Sequence, residues 1–213
     1  MTMAVRRTSE HERGDKRGAA RVTLLIRAAK IVHPGGEFLC VVHNVSETGV
    51  RLRLFHPLPV RSDLVLELPN GDRHAIERVW EEQGRAGFRF REPQDVPRLV
   101  ACPGDFPRRP VRVGAKVPCT LILDDRRGRA LLCNVSQHGA MIRSTERLSL
   151  YERLSLGIPG AREIAARVCW RRGDRHGLSF EDTLEYAELA AIVFRLHGWG
   201  PQNDCRRAEL TGL

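Results

Sequence analysis

Residues 44–49 read NVSETG and residues 134–139 read NVSQHG, so the pattern Asn-x-Ser-x-x-Gly occurs twice, 90 positions apart. Three further landmarks recur in the same order and at nearly the same spacing. They are an Arg-x-x-x-Arg stretch ending at Arg21 and Arg112, a tryptophan at Trp80 and Trp170, and a Gly-x-x-Phe stretch at 87–90 and 177–180. Self-similarity at one period across four landmarks predicts two homologous domains of about 90 residues each.

Within each repeat, short runs rich in Val, Ile, Leu and Phe are bounded by Gly, Pro, Asn and Asp, which is typical of β-strands. We predict strands at 22–32, 36–45, 49–55, 63–68, 73–82 and 86–91, and at 115–123, 129–135, 139–144, 153–157, 163–172 and 176–180. Six short antiparallel strands per repeat predict a small closed barrel, because closure removes exposed sheet edges. The predicted fold is all-β: two six-stranded antiparallel β-barrels in tandem, with a C-terminal α-helix.

The predicted domain map places both barrels between short terminal tails. It reads as a flexible tail at 1–14, barrel 1 at 15–92, a Pro-rich linker at 93–107, barrel 2 with its helix at 108–197, and a tail at 198–213. Proline in the linker is expected to exclude regular helix and sheet. A helix is predicted at 182–197, with Asp182 as its N-cap and Glu185 completing a capping box. The first repeat is expected to have no counterpart of this helix, which either caps its own barrel or provides a docking surface.

The composition is that of a folded protein, with 42% hydrophobic and 29% charged residues. The net charge of +9 invites a nucleic-acid partner, but only three of the 35 basic residues are lysine, and acidic residues are interleaved with them. We attribute the arginine excess to codon usage in a GC-rich genome and do not expect nucleic acid to be the partner. The six cysteines form no Cys-x-x-Cys pair, so we expect reduced thiols in the core of a cytoplasmic protein. With no run of roughly 18 apolar residues, we expect no membrane insertion.

The candidate binding residues fall into two chemical groups in each repeat. Two guanidinium groups just before the first strand suit an anionic, planar ligand, since arginine forks onto phosphate oxygens and stacks on bases. Asn and Ser at a strand connection can present donors and acceptors to a base edge, and the following Gly permits a turn with positive φ. A solvated basic tail and an Asx-type turn that bonds only to its own backbone remain the alternatives. The candidates are Arg17, Arg21, Asn44, Ser46 and Gly49 in the first repeat, and Arg108, Arg112, Asn134, Ser136 and Gly139 in the second.

The joint motif resembles the signature of PilZ domains: Arg-x-x-x-Arg, a gap of about one hairpin, then Asp or Asn-x-Ser-x-x-Gly. The resemblance covers 15–92 and 106–197 and implies two PilZ-like barrels that bind cyclic di-GMP. By that resemblance, the Arg pair would grip phosphates and the guanine Hoogsteen edge. Asn and Ser would hold the other side of the guanine, and Gly would allow close approach. Lys16 would be an accessory contact, offsetting the phosphate charge of a second nucleotide at barrel 1.

The resemblance therefore predicts a cyclic di-GMP receptor that passes its signal to an unidentified downstream protein by changing shape. No catalytic motif competes, so we expect no enzyme activity, no metal and no cofactor besides the nucleotide ligand. Arg108 and Arg112 lie at the end of the linker, so ligand in barrel 2 is expected to fix one barrel against the other. Two alternatives stay open: a PilZ-like protein-interaction scaffold that does not bind nucleotide, and a basic β protein that binds nucleic acid.

Overall fold

The computed structural model of the chain describes residues 22–59, 63–101, 110–124 and 126–198. The strands are β1 Val22–His33, β2 Gly36–Val45, β3 Gly49–Leu54, β4 Leu64–Glu67, β5 Arg73–Glu82, β6 Arg85–Phe90, β7 Val113–Ile122, β8 Arg127–Ser136, β9 Gly139–Arg143, β10 Arg153–Gly157, β11 Ile164–Arg172 and β12 Arg175–Phe180. The helices are α1 Val96–Ala101 and α2 Tyr186–Leu196. Each strand lies where the residue pattern predicts it, with ends that differ by at most two residues.

The twelve strands form two closed antiparallel barrels with the same order of neighbours. Barrel 1 is β1-β2-β3-β6-β5-β4, and barrel 2 is β7-β8-β9-β12-β11-β10. This confirms the predicted tandem of six-stranded barrels. Closure depends on alternation, because successive side chains of a strand point to opposite faces. In β3, for example, Val50, Leu52 and Leu54 are buried while the residues between them are not. Strand β10 alternates in the same way in barrel 2, where Leu154 and Leu156 are buried.

A short helix in the predicted linker corrects the expectation that proline excludes regular structure there. Helix α1 begins one residue after Asp95, whose carboxylate accepts a hydrogen bond from the Arg98 N–H at 3.2 Å. Pro97 lies in the first turn, where a missing N–H costs nothing because that donor has no partner in a helix. The buried Leu99 packs on the core of barrel 1. The Arg27 guanidinium donates to the Leu99 carbonyl at 3.1 Å and to the Val100 carbonyl at 2.9 Å.

Helix α1 is also the counterpart of α2 in the first repeat, where no such helix was expected from the sequence. It begins at Val96 and α2 at Tyr186, the same 90 positions that separate the other landmarks. The start of α2 is a second correction, because Glu185 and not Asp182 is the N-cap, and Glu185 makes no side-chain cap bond. The preceding segment is extended, since the Leu184 N–H donates to the Gln137 carbonyl at 2.9 Å and the Gln137 side chain donates back to Leu184.

Helix α2 packs against both barrels, so it is more than a cap on its own. Leu189, Ile192 and Val193 are buried in the core of barrel 2. On the other side, Phe194 packs on the core of barrel 1. The Tyr186 hydroxyl donates to the Ala29 carbonyl of β1 at 3.0 Å. The helix therefore joins the two cores through a shared apolar layer.

Candidate functional site

Four of the predicted binding residues, Lys16, Arg17, Arg21 and Arg108, lie outside the described residues. The others occupy matching positions in the two barrels. Asn44 lies near the end of β2 and Asn134 near the end of β8, and Gly49 and Gly139 begin the next strands. Ser46 directly follows β2, while Ser136 is the last residue of β8. Arg112 directly precedes β7.

Strand pairing brings a row of residues in barrel 2 side by side. Gly114 of β7 lies opposite Asn134, and Asn134 lies opposite Met141 of β9. Met141 in turn lies opposite Gly177 of β12, which is opposite Trp170 of β11. The site therefore crosses five strands of one barrel, and Arg112 stands at its edge.

Barrel 1 has the same row. Thr23 of β1 lies opposite Asn44, and Asn44 lies opposite Arg51 of β3. Arg51 lies opposite Gly87 of β6, which is opposite Trp80 of β5. The largest chemical difference between the two rows is the central residue, which is Arg51 in barrel 1 and Met141 in barrel 2.

Irregular strand pairing accompanies the row in both barrels. Register shifts occur just before Asn44 and Asn134, and again just before Trp80 and Trp170. A bulge inserts an extra residue, bends the strand and re-aims the next side chain. The repeated shifts explain how the signature residues come to one face of each barrel although the strands around them alternate.

The signature serines hold the turns in which they lie. The Ser46 hydroxyl donates to the Gly49 carbonyl at 3.2 Å and accepts from the Gly49 N–H at 3.1 Å. The Ser136 hydroxyl donates to the Gly139 carbonyl at 3.1 Å. For serine, the alternative of a turn that bonds to its own backbone is therefore realised in both barrels. Within the described ranges, the side-chain amides of Asn44 and Asn134 take part in no hydrogen bond, so these two groups are available to a ligand.

The signature glycines, Gly49 and Gly139, do not have the positive φ that the sequence predicted for them. Instead, each lies against the backbone of the facing strand: a Cβ on Gly49 would lie 2.8 Å from the Phe88 carbonyl oxygen, and one on Gly139 would overlap that of Leu178. The requirement for glycine is the close approach of two strands and not a left-handed turn.

A cavity of about 240 Å³ opens over the row in barrel 2 and brings together four of the five residues predicted for that barrel. The predicted residues that line it are Arg112, Asn134, Ser136 and Gly139. A second cavity, of about 480 Å³, adjoins it and shares Pro110, Arg112 and Asn134 as lining. Its opposite wall is barrel 1, through Lys30, Glu67 and the turn at 70–71. The second volume lies in the range of about 300–1,000 Å³ that is usual for ligand sites.

Several residues that line the cavity of barrel 2, Trp170 foremost, are not among those predicted from the sequence. Trp170 is 43% exposed, and its indole lies over Gly177, where any Cβ would overlap it. Trp80 covers Gly87 in the same way. The repeated tryptophan was visible in the sequence, but only as a landmark of the repeat. Met141, Cys169 and His138 also line the cavity.

The predicted core position holds for two of the four cysteines that the structure describes; Cys102 and Cys205 lie outside the described residues. Cys40 and Cys119 are buried free thiols, and burial raises the pKa of the Cys119 thiol to about 11 and that of Cys40 further. Cys133 is half-buried and Cys169 is exposed beside Trp170. Among the described residues there is no cluster of three or more His, Cys, Asp or Glu side chains that could hold a metal ion. Across the same ranges, no helix has the length and apolar character to cross a membrane.

Comparison with solved structures finds proteins that match most of the chain at low sequence identity. The Borreliella burgdorferi PlzA protein in complex with c-di-GMP is 12% identical, with a TM-score of 0.35, and the match covers 85% of this chain and 94% of that one. Escherichia coli YcgR in complex with c-di-GMP is 14% identical, with a TM-score of 0.32 and 86% and 88% coverage. The Bacillus subtilis inhibitor of motility MotI/DgrA is 13% identical, with a TM-score of 0.32 and 90% and 100% coverage.

Comparison with curated protein sequences gives no significant match. The family model of the PilZ domain matches the chain twice, at residues 12–101 and 106–195. Each match contains one copy of the signature and the tryptophan, Trp80 or Trp170, at the end of its row. Together the two matches account for most of the chain and follow the repeat that the strand order shows. The chain belongs to the PilZ domain family, as a tandem of two such domains.

Proposed function

We propose that the chain is a receptor for cyclic di-GMP that converts nucleotide binding into a conformational change read by a partner protein. The observation that carries this proposal is the cavity of barrel 2. Residues distant in sequence, Arg112, Asn134 and Trp170, meet there at one opening. We assign the chain no catalytic step and no cofactor; the nucleotide is its ligand.

The chemistry of these residues matches the parts of a cyclic dinucleotide. A guanidinium group forks onto phosphate oxygens or onto guanine O6 and N7. A side-chain amide can pair with a base edge, and an exposed indole offers a stacking surface to a purine. The row therefore provides one group for phosphate, one for hydrogen bonding and one for stacking. Membership of the PilZ family supports the same ligand, as the resemblance of the signature implies.

In this proposal, Arg112 links nucleotide binding to the change in conformation. It lies one residue before β7, at the end of the segment that joins the barrels. The cavity beside it is walled by barrel 1, so a nucleotide held by Arg112 would lie next to both barrels. We therefore propose that ligand in barrel 2 holds the two barrels in one relative orientation.

Calorimetric titration of the full chain with cyclic di-GMP, with GTP as the control, tests the binding half of the proposal. We expect heat and a defined stoichiometry with cyclic di-GMP and none with GTP. A flat titration with cyclic di-GMP would contradict the proposal and favour the protein-interaction scaffold. Retention on heparin that falls steeply with salt would favour nucleic acid instead.

Small-angle scattering tests the conformational half. We expect a smaller radius of gyration when the wild-type chain is saturated with nucleotide. A flexible Gly/Ser spacer inserted beside Pro103 should leave the affinity nearly unchanged and abolish the compaction, because a flexible linker transmits orientation poorly. An unchanged radius in the saturated wild type would refute this mechanism and leave the binding assignment intact.

A further inference from the structure

A buried ion cluster lies in barrel 1 at its border with barrel 2. Lys30 of β1 is only 8% exposed. Its ammonium nitrogen lies 2.9 Å from Glu37 Oε1 and 3.1 Å from Glu67 Oε1. Two carboxylates thus surround one ammonium group, and all three side chains belong to barrel 1. A buried charge needs such partners, because desolvation of an unpaired ammonium group is costly.

The cluster also reaches across to barrel 2 through two hydrogen bonds. The Lys30 ammonium group donates to the Arg112 carbonyl oxygen at 3.0 Å. The second carboxylate oxygen of Glu37 accepts from the Gly114 N–H at 2.8 Å. These contacts lie on either side of Val113, which is 1% exposed and is the first residue of β7. Barrel 1 therefore holds the backbone where the chain enters barrel 2, and both bonds are charge-assisted.

The two backbone groups held in this way belong to the candidate site of barrel 2. Arg112 lines its cavity. Gly114 lies directly opposite Asn134, the signature asparagine. A shift at residues 112–114 would move the Arg112 guanidinium group relative to the Asn134 amide. Because a bound ligand must meet both groups at hydrogen-bond distance, small displacements here should cost affinity.

The strand pair of barrel 2 that corresponds to β1 and β4 carries no charged residues at the matching positions. Lys30 lies opposite Glu67 in the pairing of β1 with β4. At the corresponding pairing of β7 with β10, Thr120 lies opposite Gly157. The barrel fold itself therefore does not require the ion cluster. Its position at the border between the barrels points to a role in holding them together.

We infer that Lys30, together with Glu37, is a positioning residue through which barrel 1 sets the nucleotide affinity of barrel 2. The inference rests on the proposed function, since it concerns the ligand of that same site. Lys30 acts through the backbone: its ammonium group holds the Arg112 carbonyl, and the Arg112 guanidinium group is the one assigned to the nucleotide.

The test compares Lys30→Met with Arg73→Met in the full chain carrying Arg17→Ala and Arg21→Ala, so that only barrel 2 binds. Arg73 is a matched control: its side chain pairs with the same Glu67, at 3.4 Å, from an exposed position on β5. We expect Lys30→Met to weaken cyclic di-GMP binding roughly tenfold and Arg73→Met to leave it unchanged. In an Arg112→Ala background, Lys30→Met should cause no further loss, because the group that it positions is gone.

The outcomes separate the inference from the proposed function. If the parent chain shows no binding of cyclic di-GMP, both fail. If it binds and Lys30→Met binds equally well, or loses affinity by the same factor with and without Arg112, the inference alone is overturned. Should Lys30→Met not fold, as thermal unfolding will show, Glu37→Gln replaces it. That variant keeps the side-chain size and should weaken binding by about threefold or more through the poorer bond to Gly114.

Discussion

The two barrels share one architecture and one row of site residues, yet they differ in what surrounds the tryptophan. In barrel 1, the Arg51 guanidinium carbon lies 5.9 Å from the centre of the Trp80 ring, a cation–π contact. In barrel 2, Met141 occupies that position, and Trp170 faces the cavity beside it. The duplicated barrels have therefore kept their pairing pattern and changed the chemistry of the central position.

A second difference lies in the loop after the third strand of each barrel. In barrel 1, Phe55 packs edge-on against Tyr186 of α2, and His56 stacks on Phe194 with ring centroids 4.0 Å apart. In barrel 2, the corresponding residues Thr145 and Glu146 line an open cavity. Barrel 1 therefore provides the surface on which α2 and the start of β7 dock, whereas the cavity proposed for the ligand lies on barrel 2.

The largest expected effect is the loss of nucleotide binding at one barrel when the signature arginine of that barrel is replaced. Arg112→Ala should remove charge-assisted bonds worth about 1.5–3 kcal/mol and weaken binding at barrel 2 by roughly ten- to a hundredfold. Arg21→Ala should do the same at barrel 1 only. Calorimetry on each single variant and on the double variant measures this as loss of one set of sites or of both. A double variant that binds as well as wild type would refute the assignment of these arginines.

The signature glycines provide the next test. Gly139→Ala should destabilise the chain by about 1–3 kcal/mol, because the added methyl group overlaps the backbone of β12. Gly49→Ala meets the facing carbonyl at 2.8 Å, so its loss should be smaller. Urea unfolding of the two variants gives the comparison. Equal stability to wild type in Gly139→Ala would show that the strands separate there without cost.

Exchange of the central residues sharpens the comparison of the rows. Met141→Arg should add a cation beside Trp170 and strengthen nucleotide binding at barrel 2 by about two- to fivefold, and Arg51→Met should weaken barrel 1 similarly. Titration monitored by tryptophan fluorescence measures both changes. Lys116→Met, an exposed charge on β7, is the control for a general effect of net charge. A gain of affinity in Met141→Arg and a loss in Arg51→Met would support the row as the binding surface, and affinity changes in the same direction would contradict it.

The smallest effect concerns the docking of α2 on barrel 1. Burial lowers the pKa of His56, the positive charge of Arg195 lowers it further, and a hydrogen bond with the Ala190 backbone opposes both. Since the folded pKa lies below the ordinary histidine value, the unfolded chain takes up the proton first as pH falls. Stability should therefore be constant above about pH 7 and decline below about pH 6.5.

His56→Phe keeps the ring on Phe194 and removes the titration, so its thermal unfolding should depend less on pH than that of wild type. Some dependence should remain, because burial also lowers the pKa of His197 at the end of α2. If the melting temperature of His56→Phe changed as much as that of wild type between about pH 7.5 and about pH 5.5, the pH dependence would belong to groups other than His56.

Local residue patterns were sufficient to predict the strands and the repeat. Alternating apolar residues and turn residues such as Asn70-Gly71 act over a few positions, so the strand ends could be predicted within two residues. The helices were predicted less well. Pro97 is a residue type that disfavours a helix, but a proline is tolerated in the first turn, where it lies. Asp182 is a residue type that favours the N-cap, but the backbone hydrogen bond from Leu184 to Gln137 keeps the segment after it extended. Both errors concern competition between local propensity and partners elsewhere in the chain.

The sequence by itself determined that the chain is a tandem of two barrels, because each repeat carries its own alternating pattern and its own signature. It could not show that Trp170 and Met141 join the signature residues, since strand pairing across the barrel brings together positions far apart in the chain. Nor could it show that Lys30 and Glu37 of barrel 1 hold residues 112 and 114. A buried ammonium group must find acceptors, and only the packing of one barrel on the other decides which acceptors lie within reach.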